Sequence, residues 1–250
     1  MAADSRNGFV LSAEGGRILQ WRVEGKNILF PDQTIEVRGE RKQRGGMFWC
    51  CPNFGLVDQK YGLPQHGLLR DMVGDMVGPN ILATHKEVGF EGTGLLGKKP
   101  RRRSLVQVSA WKPDPRRLSY ELTVRLSRNR KIIKGLPFNP GAHSYFATPQ
   151  GEATVRVCGI YHHVVAREYD DSLPFDGHAE IEIPGIGNID LWVSPSMIPS
   201  GSRLVLWRDD RRYLCIEPVL GSPQDFGVPG KGKFLKAGEL FSAKIELKLR

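Results

Sequence analysis

The sequence predicts an all-β protein, and three observations carry that expectation. Residues 118–127 and 241–250 alternate strictly between apolar and polar side chains, the period of a half-buried antiparallel strand. Clusters rich in Gly, Pro, Asn and Asp recur between shorter alternating stretches. No window of a dozen residues shows a clear helical period. Short strands with this punctuation, over 250 residues, point to one large sandwich or barrel.

In chain order, strands are expected at 8–12, 17–22, 34–38, 81–88, 104–111, 118–127, 153–158, 179–183, 189–194, 203–208, 213–217 and 241–250. Gly25-Lys26-Asn27, 112–117, 139–141, 148–152, 184–188, 199–201 and 208–212 supply turns between them. The last strand could seal a sheet edge. No repeat, low-complexity linker or shift in composition marks a boundary, so residues 1–250 read as a single domain.

The bulk numbers narrow the function classes. No apolar run reaches membrane-spanning length, and the polar start MAADSRNG has no targeting character; a soluble, cytoplasmic protein is expected. Cys50, Cys51, Cys158 and Cys215 form no C-x-x-C pair, so free thiols and no metal are expected. The net charge of +9 admits a nucleic acid, an anionic lipid or a phosphorylated substrate. Its densest cluster, Lys98–Arg103, has no interleaved aromatics and reads as a solvated turn, so a nucleic-acid partner is disfavoured.

The chemistry concentrates in four patches. Residues 44–70 combine Arg44, Arg70, His66, two cysteines, two prolines and several glycines. No regular element tolerates that mixture, so a long ordered loop on a rigid scaffold is expected. Asn139–Pro149 holds His143 beside Tyr145 and Phe146 at an expected β-corner, where a histidine commonly serves structure. In Tyr213–Pro218 a carboxylate, Glu217, follows an apolar run and precedes a proline expected to end the strand. Tyr169-Asp170-Asp171 is weak by itself. Arginines suit a phosphate or carboxylate, and a His/Glu couple suits acid–base work. No Ser-His-Asp set or P-loop competes, and Gly92-Thr93-Gly94 lacks a following helix.

Taken in order, Arg44-Gly45-Gly46, Pro52-Asn53-Phe54-Gly55, Leu63-Pro64-Gln65-His66-Gly67-Leu68-Leu69-Arg70, His143-Ser144-Tyr145-Phe146 and Cys215-Ile216-Glu217-Pro218 resemble the aldose 1-epimerase (galactose mutarotase) superfamily. They are most similar to its glucose-6-phosphate 1-epimerase branch, over roughly residue 8 to the end. The resemblance implies a galactose mutarotase-like β-supersandwich and a cofactor-free isomerase that interconverts the anomers of a hexose, with a hexose 6-phosphate expected. It implies Glu217 as general base, His143 as general acid, His66 as a sugar-orienting residue, Arg44 and Arg70 as phosphate ligands and Asp171 as a hydroxyl ligand, with Asp170 as the competing register. A carboxylate neighbour is expected to raise the His143 pKa. A monomer acting on a small-molecule sugar is expected, with no membrane partner. The sequence departs from the family pattern at Met47, Phe48 and Met72, which leaves a non-catalytic sugar-binding module on the same scaffold as the alternative.

Overall fold

The computed structural model describes residues 6–55, 62–78, 81–87, 103–112, 114–126 and 135–250. Two antiparallel sheets make the framework. The first has eight strands, ordered Gly8–Leu11, Ile18–Val23, Met47–Cys50, Gly141–Ala147, Tyr213–Val219, Arg203–Arg208, Tyr169–Pro174, with Lys26–Asn27 paired off this path. The second has nine, ordered Ile160–Val164, Ala153–Val157, His178–Ile183, Gly187–Val193, Leu240–Leu249, Arg117–Leu126, Arg103–Trp111, Ile81–Glu87, Asp75–Gly78. The all-β expectation holds, and no helix among the described residues is long and apolar enough to cross a membrane. Lys98–Arg102 lie outside the described residues.

The alternating stretches behave as their pattern dictates. Leu118, Tyr120, Leu122, Val124 and Leu126 are buried, as are Phe241, Ala243, Ile245, Leu247 and Leu249. The two strands pair in register, Leu122 opposite Ala243. Leu240–Leu249 therefore sits inside its sheet, between Gly187–Val193 and Arg117–Leu126, and seals no edge.

Two expected irregular segments are central strands. Met47–Cys50 is buried at all four positions, and Gly141–Ala147 at all but the last. Covered on both faces, such strands lose the alternation that betrays a half-exposed strand. Pro218 does not end its strand, which continues to Val219. The ladder to Gly141–Ala147 is interrupted instead, between Gly141 opposite Val219 and Tyr145 opposite Cys215. Pro218, lacking a donor N–H, falls in that gap.

Gly45 sets the entry to the Met47–Cys50 strand. Its φ is +112°, and a Cβ there would stand 2.1 Å from the Pro31 carbonyl oxygen. Gly45→Ala is expected to cost at least ~2 kcal/mol, from backbone strain plus the clash. Urea unfolding checks this as a lowered midpoint with an unchanged slope.

Candidate active site

The register of the first sheet assembles the site. His143 lies opposite Phe48 on one side and, midway through the interrupted ladder, across from Glu217 on the other. Glu217 pairs with Val205, and Val205 with Ser172. Phe48, His143, Glu217, Val205 and Ser172 thus form one row across five strands. The next row holds Tyr145, Cys215, Trp207 and Asp170. The row on the other side places Cys50 against Gly141, then Val219 and Arg203. All three rows lie on one face, because side chains two apart on a strand share a side.

This face floors a cavity of about 860 Å³. His143 Nε2 stands 3.1 Å from Glu217 Oε1, and both side chains are almost wholly buried. The imidazole is clamped between Phe48 and Tyr145, with ring centroids 5.0 and 4.7 Å away. Phe48, a departure from the family pattern, is therefore the wall that fixes the histidine. Met47 and Met72 belong to the core and do not line the cavity.

The His143 pKa shifts opposite to the expected rise. Burial pushes the Glu217 carboxyl well up, and Asp170 adds to it. Burial pulls the His143 imidazole well down, helped by His66, Arg44 and Arg70. Desolvation opposes both charges and outweighs their mutual attraction, so the resting couple is a neutral acid and a neutral imidazole. The two groups face each other across 3.1 Å and titrate as a unit, while Glu217 Oε1 and His143 Nδ1 make no hydrogen bond among the described residues.

His66 comes from the connection after the Met47–Cys50 strand. It holds a left-handed φ of +64°, and its N–H donates to the Gly55 carbonyl at 3.0 Å. Gly67 follows at φ +76°, where a Cβ would lie 2.3 Å from the Cys51 carbonyl oxygen. Strain of this kind concentrates where a side chain must be aimed. The His66 ring sits 5.0 Å from that of His143, edge-on. Burial first, then Arg70 and Arg44, lower its pKa to about 4. We expect the His66 ring signals in a two-dimensional ¹⁵N NMR titration to stay in the neutral form from pH 8 to pH 5. A midpoint near the ordinary histidine value, about 6.5, would contradict this environment.

Four arginines line the cavity: Arg17, Arg44, Arg70 and Arg203. Arg17 is paired with Asp32. Arg44 donates to Asp209 at 2.8 Å and to the Tyr213 hydroxyl at 3.1 Å, with its guanidinium over Trp207. Burial works against ionised Asp209, but hydrogen bonds from Arg44 and Tyr213 win and hold its pKa below the usual carboxylate range. Arg70 makes a two-pronged pair with the half-exposed Asp71, at 2.9 and 3.1 Å. Arg203 makes no ion pair among the described residues, and the sequence reading passed over it.

Of the aspartates, Asp170 lines the cavity and Asp171 does not. Neighbours on a strand face opposite sides. Asp171 shares the side of buried Leu173 and accepts from the Ser172 N–H at 2.8 Å. Of the two registers the sequence leaves for this aspartate, it is Asp170 and not the expected Asp171 that faces the cavity. His143, Cys215 and Glu217 offer ligand atoms within 4.8 Å of one another. To hold a divalent ion there the Cys215 thiol would have to ionise, which burial opposes, with Glu217 adding to it.

No protein-family model matches the sequence, and no curated protein sequence matches it. Solved structures do. A galactose mutarotase-like protein from Lactobacillus casei is 16% identical, with a TM-score of 0.72 over 99% of this chain and 98% of that one. The Slr1438 protein from Synechocystis is 20% identical, with a TM-score of 0.67 over 96% and 90%. A galactose mutarotase related enzyme from Lactobacillus acidophilus is 13% identical, with a TM-score of 0.65 over 99% and 96%. Over nearly its whole length, this chain has the galactose mutarotase-like sandwich fold.

Proposed function

We propose that the protein is an aldose 1-epimerase acting on a hexose that carries an anionic group, with hexose 6-phosphate as the leading substrate. The observation that carries this reading is the buried His143–Glu217 couple, 3.1 Å apart on the floor of a sugar-sized hollow. Mutarotation needs one proton taken from the anomeric hydroxyl and one given to the ring oxygen; a couple with one dissociable proton between its members provides both.

On sugar binding the carboxyl proton passes from Glu217 to His143, giving a carboxylate base and an imidazolium acid. Glu217 removes the anomeric O–H proton, whose bonding electrons form the C1 carbonyl. The C1–O5 bond breaks, and O5 takes the proton from His143. After rotation about C1–C2, reclosure on the other carbonyl face returns both protons, each residue now in the opposite role. Neutral His66 directs a hydrogen bond at the sugar without adding a charge that would compete for the proton. Asp170 accepts from hydroxyls, and Trp207 offers an apolar face to the pyranose.

Anomer exchange of glucose 6-phosphate, followed by NMR magnetisation transfer, tests the proposal. Exchange faster than buffer and phosphate catalysis supports it. Equal rates with and without protein, alongside saturable sugar binding, would leave the binding module in its place.

A further inference from the structure

Nδ1 of His143 is buried and has no hydrogen-bond partner among the described residues. A working histidine is ordinarily oriented, and its tautomer set, by a hydrogen bond at the nitrogen that does not react. Here ring faces stand in for that bond. The imidazole lies between Phe48, 5.0 Å away and 22° from parallel, and Tyr145, 4.7 Å away and 13° from parallel. The sheet sets both contacts. Phe48 is the register partner of His143 on the adjacent strand, and Tyr145 lies two residues along its own strand, on the same face. Phe48 is fixed in turn: the Arg17 guanidinium lies over its ring, 5.9 Å from the centroid, and is itself paired with Asp32. The charge of Arg17 works against a second cation at this ring, so Arg17 holds Phe48 in place and does not aid the proton.

The charge that the reaction puts on His143 has few supporters. Burial opposes an imidazolium, and so do His66, Arg44 and Arg70. Glu217 attracts it once ionised, while Cys215, whose sulfur lies within 4.8 Å of the couple, is kept a neutral thiol by burial. The two electron-rich ring faces are the contacts that remain. Both lie inside the ~6 Å over which an aromatic face attracts a cation.

We infer that Phe48, with Tyr145, forms an aromatic clamp that aims His143 at Glu217 and stabilises its imidazolium form while the sugar ring opens, which makes Phe48 a positioning residue of the reaction. This role rests on the epimerase reading. Phe48 is also a departure from the family pattern, so the resemblance does not supply the role.

The test replaces Phe48 in the full chain by Leu and, with shape nearly kept, by phenylalanines bearing one, two and three ring fluorines, which draw electrons from the face. Anomer exchange of glucose 6-phosphate gives kcat and KM. An interaction made only with the imidazolium lowers kcat and leaves KM in place. Phe48→Leu is expected to lower kcat about 30-fold, the scale of a desolvated cation–π contact, and the fluorinated series to lower it stepwise. The carbon-bound ring protons of His143, shifted upfield by the two stacked faces, are expected to move downfield in the NMR spectrum of Phe48→Leu. An active wild type whose kcat is flat across the fluorinated series would overturn the clamp and leave the epimerase reading standing. So would His143 ring protons that do not move in Phe48→Leu. A wild type that does not speed anomer exchange would overturn the epimerase reading, and the clamp's role with it. If Phe48→Leu does not fold, the fluorinated series decides.

Discussion

Glu217→Gln is expected to yield a protein that is nearly inert and more stable than wild type at neutral pH. The loss follows from chemistry: an amide cannot take the anomeric proton, and a positioned general base contributes about 10²–10⁴-fold. The gain follows from burial. In the folded state the Glu217 pKa is raised well above its ordinary value, so the group stays protonated where the unfolded chain has already ionised it. Unfolding then releases a proton, and wild-type stability falls as pH rises above about 4.5, by up to ~1.4 kcal/mol per pH unit, until the folded pKa is reached. Glutamine does not titrate, so the difference between variant and wild type should widen from pH 4.5 upward. Melting curves from pH 4 to pH 8 read this directly. A Glu217→Gln protein less stable than wild type at pH 7.5 would mean that the carboxylate rests ionised and paired. His143 works in the opposite sense: held neutral, it lowers stability as pH falls below about 6.5. The couple therefore tilts the stability curve downward on both sides of a mildly acidic optimum.

The fold class was legible because half-exposed strands write their orientation as alternation, and the Arg117–Leu126 and Leu240–Leu249 strands do so over ten residues each. The two strands that matter most for the site were not legible as strands. Met47–Cys50 and Gly141–Ala147 are enclosed on both sides, and their Gly and Pro neighbours imitate loop chemistry. His143 and Glu217 could be named from motif resemblance. Their contact could not, because it depends on a register 74 residues apart that only the sheet creates. The Asp170/Asp171 choice turned on a single step of strand parity. Alternation in 203–208 was visible, yet it could not say which face was the cavity, so Arg203 was passed over. The sign of the His143 shift was missed for a related reason: a carboxylate neighbour is visible in a motif, but the desolvation that outweighs it is a property of the assembled cavity.

Arg203→Gln is expected to raise KM for glucose 6-phosphate by about 10–100-fold while leaving free glucose almost unaffected, since a charged hydrogen bond to phosphate contributes about 1.5–3 kcal/mol. Arg17 and Arg44 are held by Asp32 and Asp209, and only Arg70, with its half-exposed Asp71, could exchange partners cheaply. Arg70 acts electrostatically on Cys50, which shares the Arg203 row, whereas Arg44 acts on Cys215, in the row of Trp207 and Asp170. The cavity thus carries Arg203 at one end and Arg44 at the other, with the proton couple between them and Arg70 acting on both rows. Along a strand, two residues span about 6.7 Å and adjacent strands about 4.8 Å, so Arg203 starts ~8 Å from Glu217. Arg44→Gln should behave differently. It strands the nearly buried Asp209, and its main effect should be a stability loss of about 2 kcal/mol, below the range for a fully buried pair because both partners keep some solvent contact. Steady-state kinetics on glucose and glucose 6-phosphate, with melting curves for both variants, separate the roles. If Arg203→Gln slows both sugars alike, Arg203 positions the site and does not read the anion. If Arg44→Gln alone discriminates between them, the phosphate sits at the opposite end, beside Trp207.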